Sequence, residues 1–331
     1  MSAEHNTAVQ PKAHEFTVAK SPWGEDDEMG AMNLITPQSR LAVLARVDGS
    51  RVFDLSTDYF VGMPTWSALG DPGYQIYKTH DPAGDVISNP IGLDDKANKL
   101  TSYTGDAISM YTHSGTHIDA LNHFGCHGEI YNGYHAHEHF GNRTWEKCGV
   151  DTIPPIIARG VMLDIAALKG VEQLPPSYGI GPEDLEAAAE RQGITVQTGD
   201  VILIRTGRFR EWPNAEAFLY DEPGLNLDGA KWLVERGAML VCSDNVAIEQ
   251  MPAESDATWC PVHMYLFNEA GVPIIEVVNC EELSEAKVYE FAFIGLPLKL
   301  RGVSKAAARD DVLAALAEVG LDIHLSADMD A

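Results

Sequence analysis

The sequence predicts an α/β fold in which helices flank a mixed or parallel sheet. Six short segments are rich in large apolar residues, and most of them are apolar at consecutive positions, which is typical of strands covered on both faces. Segments with helix-start signals fall between several of them. With 331 residues, 45% hydrophobic and 22% charged, the chain can bury a substantial core. No interdomain linker or repeat stands out, so we expect one domain over residues 21–331, preceded by a mobile arm over residues 1–20.

Strands are predicted in runs that are rich in β-branched and large apolar side chains and that end in polar residues. Each run is too short for a typical helix. In chain order the predicted strands are residues 51–56, 160–165, 200–204, 239–242, 273–278 and 290–296.

Helices are predicted where a capping residue or a first-turn proline precedes a run of helix formers. One of them, capped by Asp228, has Gly237 just past its end. The predicted helices are residues 183–192 after Pro182, 229–236 after Asp228, and 305–319 after Ser304.

The segment from about 67 to 106 has a different character. It is rich in Gly, Pro, Asp and Asn, and it shows no sustained hydrophobic period. Because it is much longer than an ordinary connection, we interpret it as a functional covering loop. A partly ordered insertion is the alternative.

The charge balance excludes several classes of partner. The formal net charge of −26 repels phosphate and anionic lipid, so we expect no nucleic-acid or membrane partner. The sequence contains no run of 18 apolar residues that could span a membrane. Its N-terminus lacks the basic segment followed by an apolar one that marks a signal peptide, so we expect a soluble cytoplasmic protein. The five cysteines form no CxxC pair and are expected to be reduced thiols in the core.

Histidine is concentrated in one part of the chain. Seven of the 12 histidines lie between residues 113 and 139. The segment YTHSGTHIDALNHF places His113, His117, Asp119 and His123 at intervals of four, two and four. One helix face cannot hold all four, and residues four apart in a straight strand are about 13 Å apart, too far for one metal ion. The chain must therefore bend, and Gly115 permits such a bend.

Further ligands for a metal site must come from elsewhere in the chain. His263 is a candidate, and it precedes an apolar segment that contains Glu276. A carboxylate among apolar residues is costly to bury unless it is paired, protonated or bound to a metal. The alternative for Glu276 is a strand-end carboxylate in water.

Other histidines and a cysteine have simpler interpretations. The run of His135, His137 and His139 also fits a solvated strand or an adventitious metal site. Cys126 is adjacent to His127, but no third group is placed to activate a thiol nucleophile. The histidines of 113–123 could likewise face solvent on a polar edge strand.

The segment HSGTHIDALNHF at 113–124 resembles the HxGTHxDxPxHF signature of the cyclase family of metal-dependent hydrolases, with Leu121 where many members carry proline. That family includes bacterial kynurenine formamidases, isatin hydrolases and dienelactone hydrolases. Segments 23–37, 62–64, 199–207 and 263–276 are also similar. The resemblance implies a ββα swivelling-type fold with a barrel-like mixed sheet and flanking helices, assembled as a homo-oligomer, either a dimer or a tetramer.

The resemblance also implies a metal site that holds one or two divalent ions, Zn²⁺ or Mn²⁺. The acid or base catalyst would be His123. Leu121 puts the substrate class in question rather than the ligands. By the same resemblance, the first ion would be bound by His113, His117 and Asp119, and a second site or shell would be completed by His263 and Glu276.

These residues lead us to expect hydrolysis of a small-molecule amide, imide or lactone by metal-activated water, with His123 moving the proton. Trp66 could form an apolar wall for a planar substrate, or could simply pack in the core. The acidic chain disfavours anionic substrates at long range unless a local cation overrules that effect.

Two other classes of function remain open from sequence. A non-haem iron oxygenase could use His117, Asp119 and His263 as a facial triad, but that leaves His113, His123 and Glu276 without roles. The second class is a binding protein that a metal stabilises and that has no catalytic activity. In such a protein His123 would have no role.

Overall fold

The computed structural model describes residues 14–141, 144–254, 258–307 and 314–318. Its strands, in chain order, are β1 (Val47–Asp54), β2 (Gln75–His80), β3 (Gly105–Ser109), β4 (His117–Asp119), β5 (Glu129–Ile130), β6 (Tyr134–His135), β7 (Ile156–Asp164), β8 (Gly179–Ile180), β9 (Val201–Arg205), β10 (Gly224–Leu225), β11 (Leu240–Ser243), β12 (Ile274–Glu276), β13 (Glu290–Gly295), β14 (Lys305–Ala307) and β15 (Ala314–Glu318).

Ten α-helices lie within the described ranges, and none of them is long and apolar enough to cross a membrane. Short 3-10 helices occupy Gly30–Leu34, Tyr131–Gly133, Val150–Thr152 and Arg208–Glu211, and a π-helical turn occupies Tyr265–Ala270. The α-helices are α1 (Pro37–Leu44), α2 (Pro82–Ser88), α3 (Asp95–Leu100), α4 (Ala136–His139), α5 (Ile165–Lys169), α6 (Pro182–Gln192), α7 (Ala215–Phe218), α8 (Leu227–Glu235), α9 (Pro261–Met264) and α10 (Glu281–Ala286).

A nine-stranded mixed sheet forms the centre of the fold. Its strands follow the order β1-β15-β13-β7-β9-β11-β12-β4-β14. The pairs β7/β9, β9/β11 and β11/β12 are parallel, and the remaining neighbours are antiparallel. Every residue of β9 and β11 is buried, as expected for strands covered on both faces. The predicted mixed sheet with flanking helices is confirmed.

All six predicted strands are present, with boundaries shifted by a few residues. The helix predicted with Pro182 in its first turn is α6 (Pro182–Gln192), which buries Leu185 and Ala188. The helix predicted after Asp228 is α8, but its cap is different. Asn226 Oδ1 accepts the backbone N–H of Gly229 at 2.8 Å, so Asp228 lies inside the first turn.

The helix predicted over 305–319 is wrong. Residues Lys305–Ala307 form β14, which pairs antiparallel with β4, and Ala314–Glu318 forms β15, which inserts between β1 and β13. The run is rich in Ala and Leu, which are strong helix formers, but open sheet edges accept its backbone hydrogen bonds. Tertiary pairing therefore overrides local propensity. The rest of the predicted helix lies outside the described residues.

The segment interpreted as a covering loop at 67–106 contains regular structure instead. It holds β2, α2, α3 and the start of β3, and β2 pairs with β3 in an antiparallel ladder. Two of the aspartates that made the segment look like a loop are helix caps: Asp81 accepts backbone N–H groups of α2, and Asp94 does so for α3.

The N-terminal segment lies against the body of the protein where it is described. Ala19 N–H donates to Asn268 O at 2.8 Å, and His14 Nε2 lies 2.9 Å from Glu269 Oε1. Lys20 Nζ donates to Asn132 O at 2.9 Å. Residues 1–13 of the segment predicted as an arm lie outside the described residues.

Gly160 tests the packing at the centre of the sheet. A Cβ at this position of β7 would overlap the ring of Phe291 on β13. Because both strands are held by ladder hydrogen bonds, we expect Gly160→Ala to lower the free energy of unfolding by about 1–3 kcal/mol. Urea denaturation measures this loss. Gly73→Ala, where no atom lies within 4 Å of the added Cβ, is the control and should change stability by less than about 0.5 kcal/mol. Equal stability of the two variants would contradict the packing argument.

Candidate metal centre

The chain curls just before β4. Gly115 has a φ of +60°, in the left-handed region, and a Cβ there would lie 2.7 Å from Tyr59 Cζ. Two hydrogen bonds hold the residue that follows: Thr116 Oγ1 donates to Val277 O at 2.6 Å, and Tyr59 Oη donates to Thr116 O at 2.8 Å. The bend predicted at Gly115 is confirmed, and it returns His113 toward His117.

The register of three strands brings charged side chains to one face of the sheet. In the antiparallel pair β4/β12, His117 lies opposite Glu276. Asp119, two residues further along β4, lies opposite Lys305 of β14. Residues directly opposite each other, and residues two apart, share a face. These four side chains therefore project to the same side.

The first group of potential metal ligands consists of His113, His117, Asp119 and Glu276, whose ligand atoms lie within 4.8 Å of one another. Glu276 Oε2 lies 3.2 Å from His113 Nδ1 and 3.1 Å from His117 Nε2. Asp119 Oδ1 lies 3.5 Å from His117 Nε2. His113 Nδ1 and His117 Nε2 are also in direct contact. All these atoms converge on one point.

A second group faces the other oxygens of the same carboxylates. Asp119 Oδ2 lies 3.5 Å from His123 Nε2, and Glu276 Oε1 lies 3.4 Å from His263 Nε2. Asp119, His123 and His263 also satisfy the distance criterion for a metal-ligating set. Each carboxylate thus has one oxygen toward each group, which is the arrangement that a bridging ligand requires.

The orientation of two imidazoles follows from the contacts of their second nitrogens. His117 Nδ1 lies 2.8 Å from Gly115 O, and a carbonyl can only accept, so Nδ1 donates this hydrogen bond and Nε2 points toward the carboxylates. His263 Nδ1 lies 2.7 Å from Glu249 Oε1, which fixes its Nε2 toward Glu276. Both rings are oriented as in metal sites, where the second nitrogen donates to a carbonyl or carboxylate.

The two carboxylates are buried without hydrogen bonds. Asp119 and Glu276 are fully buried, and all four of their carboxylate oxygens lack a hydrogen-bond partner. Buried carboxylates are costly unless they are paired or coordinated. Oxygen and imidazole donors converging at this spacing fit a divalent ion such as Zn²⁺ or Mn²⁺.

Burial determines the ionisation of the surrounding groups. It lowers the pKa of His113 and His123 well below the usual value, so both imidazoles are neutral, and it raises the pKa of Asp119. Burial alone would lower the pKa of His263, but Glu249 and Glu276 outweigh it and raise that pKa to about 10. Neutral imidazole is the form that binds metal or accepts a proton, so His113 and His123 are in that form, whereas His263 must lose a proton before it binds an ion.

Glu249 supports His263 from behind. It is 1% exposed, and Oε1 accepts the backbone N–H of His263 at 3.1 Å in addition to its contact with Nδ1. Its Oε2 accepts the backbone N–H of Val262 at 3.2 Å. Glu249 therefore holds both the start of α9 and the ring that this helix presents.

A cavity of about 830 Å³ opens onto these groups. His113, His123, His263 and Glu276 form part of its lining, and aromatic rings form another wall. Trp66, which the sequence marked as a possible wall, lies 5.5 Å from Trp259 between ring centroids, and Trp259 lies 6.2 Å from Phe124. Trp66 is thus a cavity residue as well as a packing residue.

The other histidine-rich segment lies apart from this cluster. His135 is exposed and contacts Glu129 at 3.1 Å, and His137 is exposed on α4. Neither these residues nor His139 belongs to a ligating group within the described ranges. Cys126 is buried, and burial raises the pKa of its thiol, which disfavours a thiolate nucleophile. All five cysteines are free and buried, as predicted.

Sequence reasoning missed three residues of this region. Glu249 carries no local signal, since it reaches His263 only through the fold. Lys305 was assigned to a helix, and Trp259 was not singled out.

Comparison with known proteins shows which family the chain belongs to. A family model described as putative cyclase matches residues 53–250. The chain belongs to this cyclase family. No curated protein matches it.

Three solved structures share the cyclase fold. A protein described as a novel cyclase is 26% identical, with a TM-score of 0.77 over 89% of this chain and 97% of its own. An isatin hydrolase bound to the product analogue thioisatinate is 18% identical, with a TM-score of 0.62 over 86% of this chain and 100% of its own. A potential metal-dependent hydrolase with cyclase activity is 21% identical, with a TM-score of 0.51 over 80% of this chain and 98% of its own.

Metal binding should stabilise this cyclase-family chain. At about 100 times the dissociation constant, Zn²⁺ or Mn²⁺ should raise the free energy of unfolding of metal-free protein by about 2.7 kcal/mol. Asp119→Asn should lose most of this gain because it removes a charged ligand, whereas Asp228→Asn, on an exposed side chain, should keep it. Urea denaturation with and without metal measures the effect. Equal stabilisation of both variants would show that Asp119 binds no ion.

Glu249→Gln should weaken metal binding without removing a ligand. The amide keeps the shape but supplies a weaker acceptor for His263 Nδ1–H, and loss of such support typically costs 10- to 100-fold in metal affinity. Calorimetric titration of metal-free protein measures the affinity. Glu235→Gln, an exposed position on α8, is the control. An unchanged affinity in Glu249→Gln would contradict the role given to Glu249.

Proposed function

We propose that this chain is a metal-dependent hydrolase that cleaves a small amide, imide or lactone. The observation that carries the proposal is the convergence of imidazoles and of two buried carboxylates that accept no hydrogen bond at the floor of an aromatic cavity. Such a donor set suits a divalent ion, and the open cavity above it suits a small substrate. The names of two structural neighbours, an isatin hydrolase and a potential metal-dependent hydrolase, agree with this class of reaction.

We assign the ligands as follows. A bound divalent ion would lower the pKa of a coordinated water toward neutrality and polarise the carbonyl under attack. The first ion would be held by His113, His117, Asp119 and Glu276. His263 would bind or support a second ion, because its Nε2 faces the other oxygen of Glu276 at 3.4 Å.

His123 is assigned the proton transfer. Its Nε2 lies 3.5 Å from Asp119 Oδ2, and its ring lines the cavity, so it borders both the ligand group and the substrate space. Burial keeps this imidazole neutral and able to accept a proton from the attacking water. It then gives that proton to the departing nitrogen or oxygen. Trp66 and Trp259 would contact the flat part of the substrate.

The observed grouping favours hydrolysis over oxygenation. A facial triad of His117, Asp119 and His263 would leave open positions on one side of an iron ion. Here His117 and Asp119 share their point of convergence with His113 and Glu276, while His263 faces a separate oxygen. The extra ligands have roles in the hydrolase proposal and none in the oxygenase alternative.

His123→Ala separates the catalytic role from metal binding. We expect near-normal metal content by mass spectrometry but a 10²- to 10⁴-fold loss of kcat, the usual contribution of a positioned acid or base. The assay is a panel of N-formyl amines, cyclic imides and lactones with a pH indicator. His137→Ala, an exposed position, should retain full activity. If His123→Ala turns over at the normal rate, the assignment of His123 is wrong.

A further inference from the structure

Lys305 is a buried lysine inside the candidate metal centre. It begins β14, directly opposite Asp119 of β4, and only 3% of it is exposed. Its Nζ lies 3.8 Å from Asp119 Oδ2 and 5.4 Å from the centre of the Tyr111 ring. Lys305 and Tyr111 both line the cavity. The register of the sheet, rather than a flexible loop, sets the position of this amine.

The amine of Lys305 is not satisfied by the surrounding protein. It makes no hydrogen bond to any residue in the described ranges, and its distance from Asp119 Oδ2 exceeds a normal hydrogen bond. A lysine amine has three donors when charged, and burying them without acceptors is costly. Because the side chain lines the cavity, an acceptor that enters the cavity can satisfy it.

The charges of the cavity indicate what this acceptor is. Among its described lining residues, Lys305 is the only lysine or arginine, whereas Asp221, Glu222 and Glu276 are acidic. The whole chain has a formal net charge of −26, so it does not attract anions at long range. Lys305 therefore supplies positive charge to an otherwise acidic cavity lining, together with His263, whose pKa Glu249 and Glu276 raise to about 10.

We propose that Lys305 binds the substrate oxygen that becomes negatively charged during hydrolysis, and the same oxygen in the carboxylate product. This inference rests on the proposed function. Nζ and His123 Nε2 both lie within 4 Å of Asp119 Oδ2, so the donor and the proton acceptor border the same space. An oxygen in that space can accept a hydrogen bond from Nζ while its carbon faces the ligand group.

Lys305 can contact the same substrate oxygen through both steps of the hydrolysis. The oxygen of the attacking water forms a bond to the carbonyl carbon, its proton passes to His123, and the carbonyl π electrons move to the oxygen that Nζ contacts. When the C=O bond re-forms, the C–N or C–O bond breaks, and the leaving atom takes the proton from His123. The acid that remains releases the second proton of the water to solvent and is then a carboxylate, still beside Nζ. Lys305 keeps its protons throughout.

The chemistry of the ligand follows from this position. The cavity has a cation at its metal-facing end and the aromatic rings of Trp66, Trp259 and Phe124 in another wall. It should therefore retain aromatic carboxylates, the products of opening a ring-fused imide or lactone or of cleaving an aryl amide. A neutral amide of the same shape should gain much less from Lys305.

The test uses benzoate and benzamide as probes of the metal-loaded protein. Calorimetry should show that Lys305→Met weakens benzoate binding at least tenfold and leaves benzamide binding within about twofold. Lys231→Met, on α8, is the control and should bind both probes normally.

With a substrate from the panel, Lys305→Met should lose 10²- to 10³-fold in kcat at unchanged metal content, which is the usual cost of losing one oxyanion donor. Lys305→Arg should restore part of the benzoate affinity.

The outcomes separate this inference from the proposed function. If the wild type hydrolyses nothing in the panel but Lys305→Met loses benzoate affinity selectively, the anion site stands and the hydrolase proposal fails. If Lys305→Met binds benzoate normally and keeps kcat within threefold, Lys305 only neutralises Asp119 and the inference is wrong. Should Lys305→Met fail to fold, Lys305→Gln is subjected to the same two measurements with the same criteria.

Discussion

The centre of this structure depends on two carboxylates that are buried without hydrogen bonds. Asp119 and Glu276 lie on neighbouring antiparallel strands, and none of their four oxygens has a hydrogen-bond partner. Removing a carboxylate from water is expensive, so the protein interior holds these groups at a high cost unless nearby cations compensate them. The surrounding features, including the imidazoles that converge there and the glutamate behind His263, follow from that requirement.

The register of the sheet strands determines which side chains surround these carboxylates. The register β12–β4–β14 sets Glu276, His117, Asp119 and Lys305 on one face. The left-handed Gly115 then folds His113 back onto the same point, and Thr116 anchors the curl through Val277, next to Glu276. A shift of one residue in either pairing would turn these side chains to the opposite face. Strand pairing thus sets the positions of these four side chains.

The parts of this arrangement that sequence could predict are local. His113, His117 and Asp119 fall within one segment around a glycine, so spacing alone required a bend. The strands β7, β9 and β11 could be predicted because buried strands are apolar at most of their consecutive positions. The role of β14 could not be predicted, because the Ala-rich residues 305–319 favour a helix by local propensity. Pairing with β4, which only the folded chain provides, makes Lys305–Ala307 a strand. Glu249 likewise acquires its place only when the fold brings it to His263.

The most direct test is the location of the ion itself. Crystals grown with Mn²⁺ or Zn²⁺ should give an anomalous difference peak about 2.0–2.2 Å from nitrogens of His113 and His117 and an oxygen of Asp119. Absence of a peak at that point, with the ion elsewhere or the three side chains directed apart, would contradict the account.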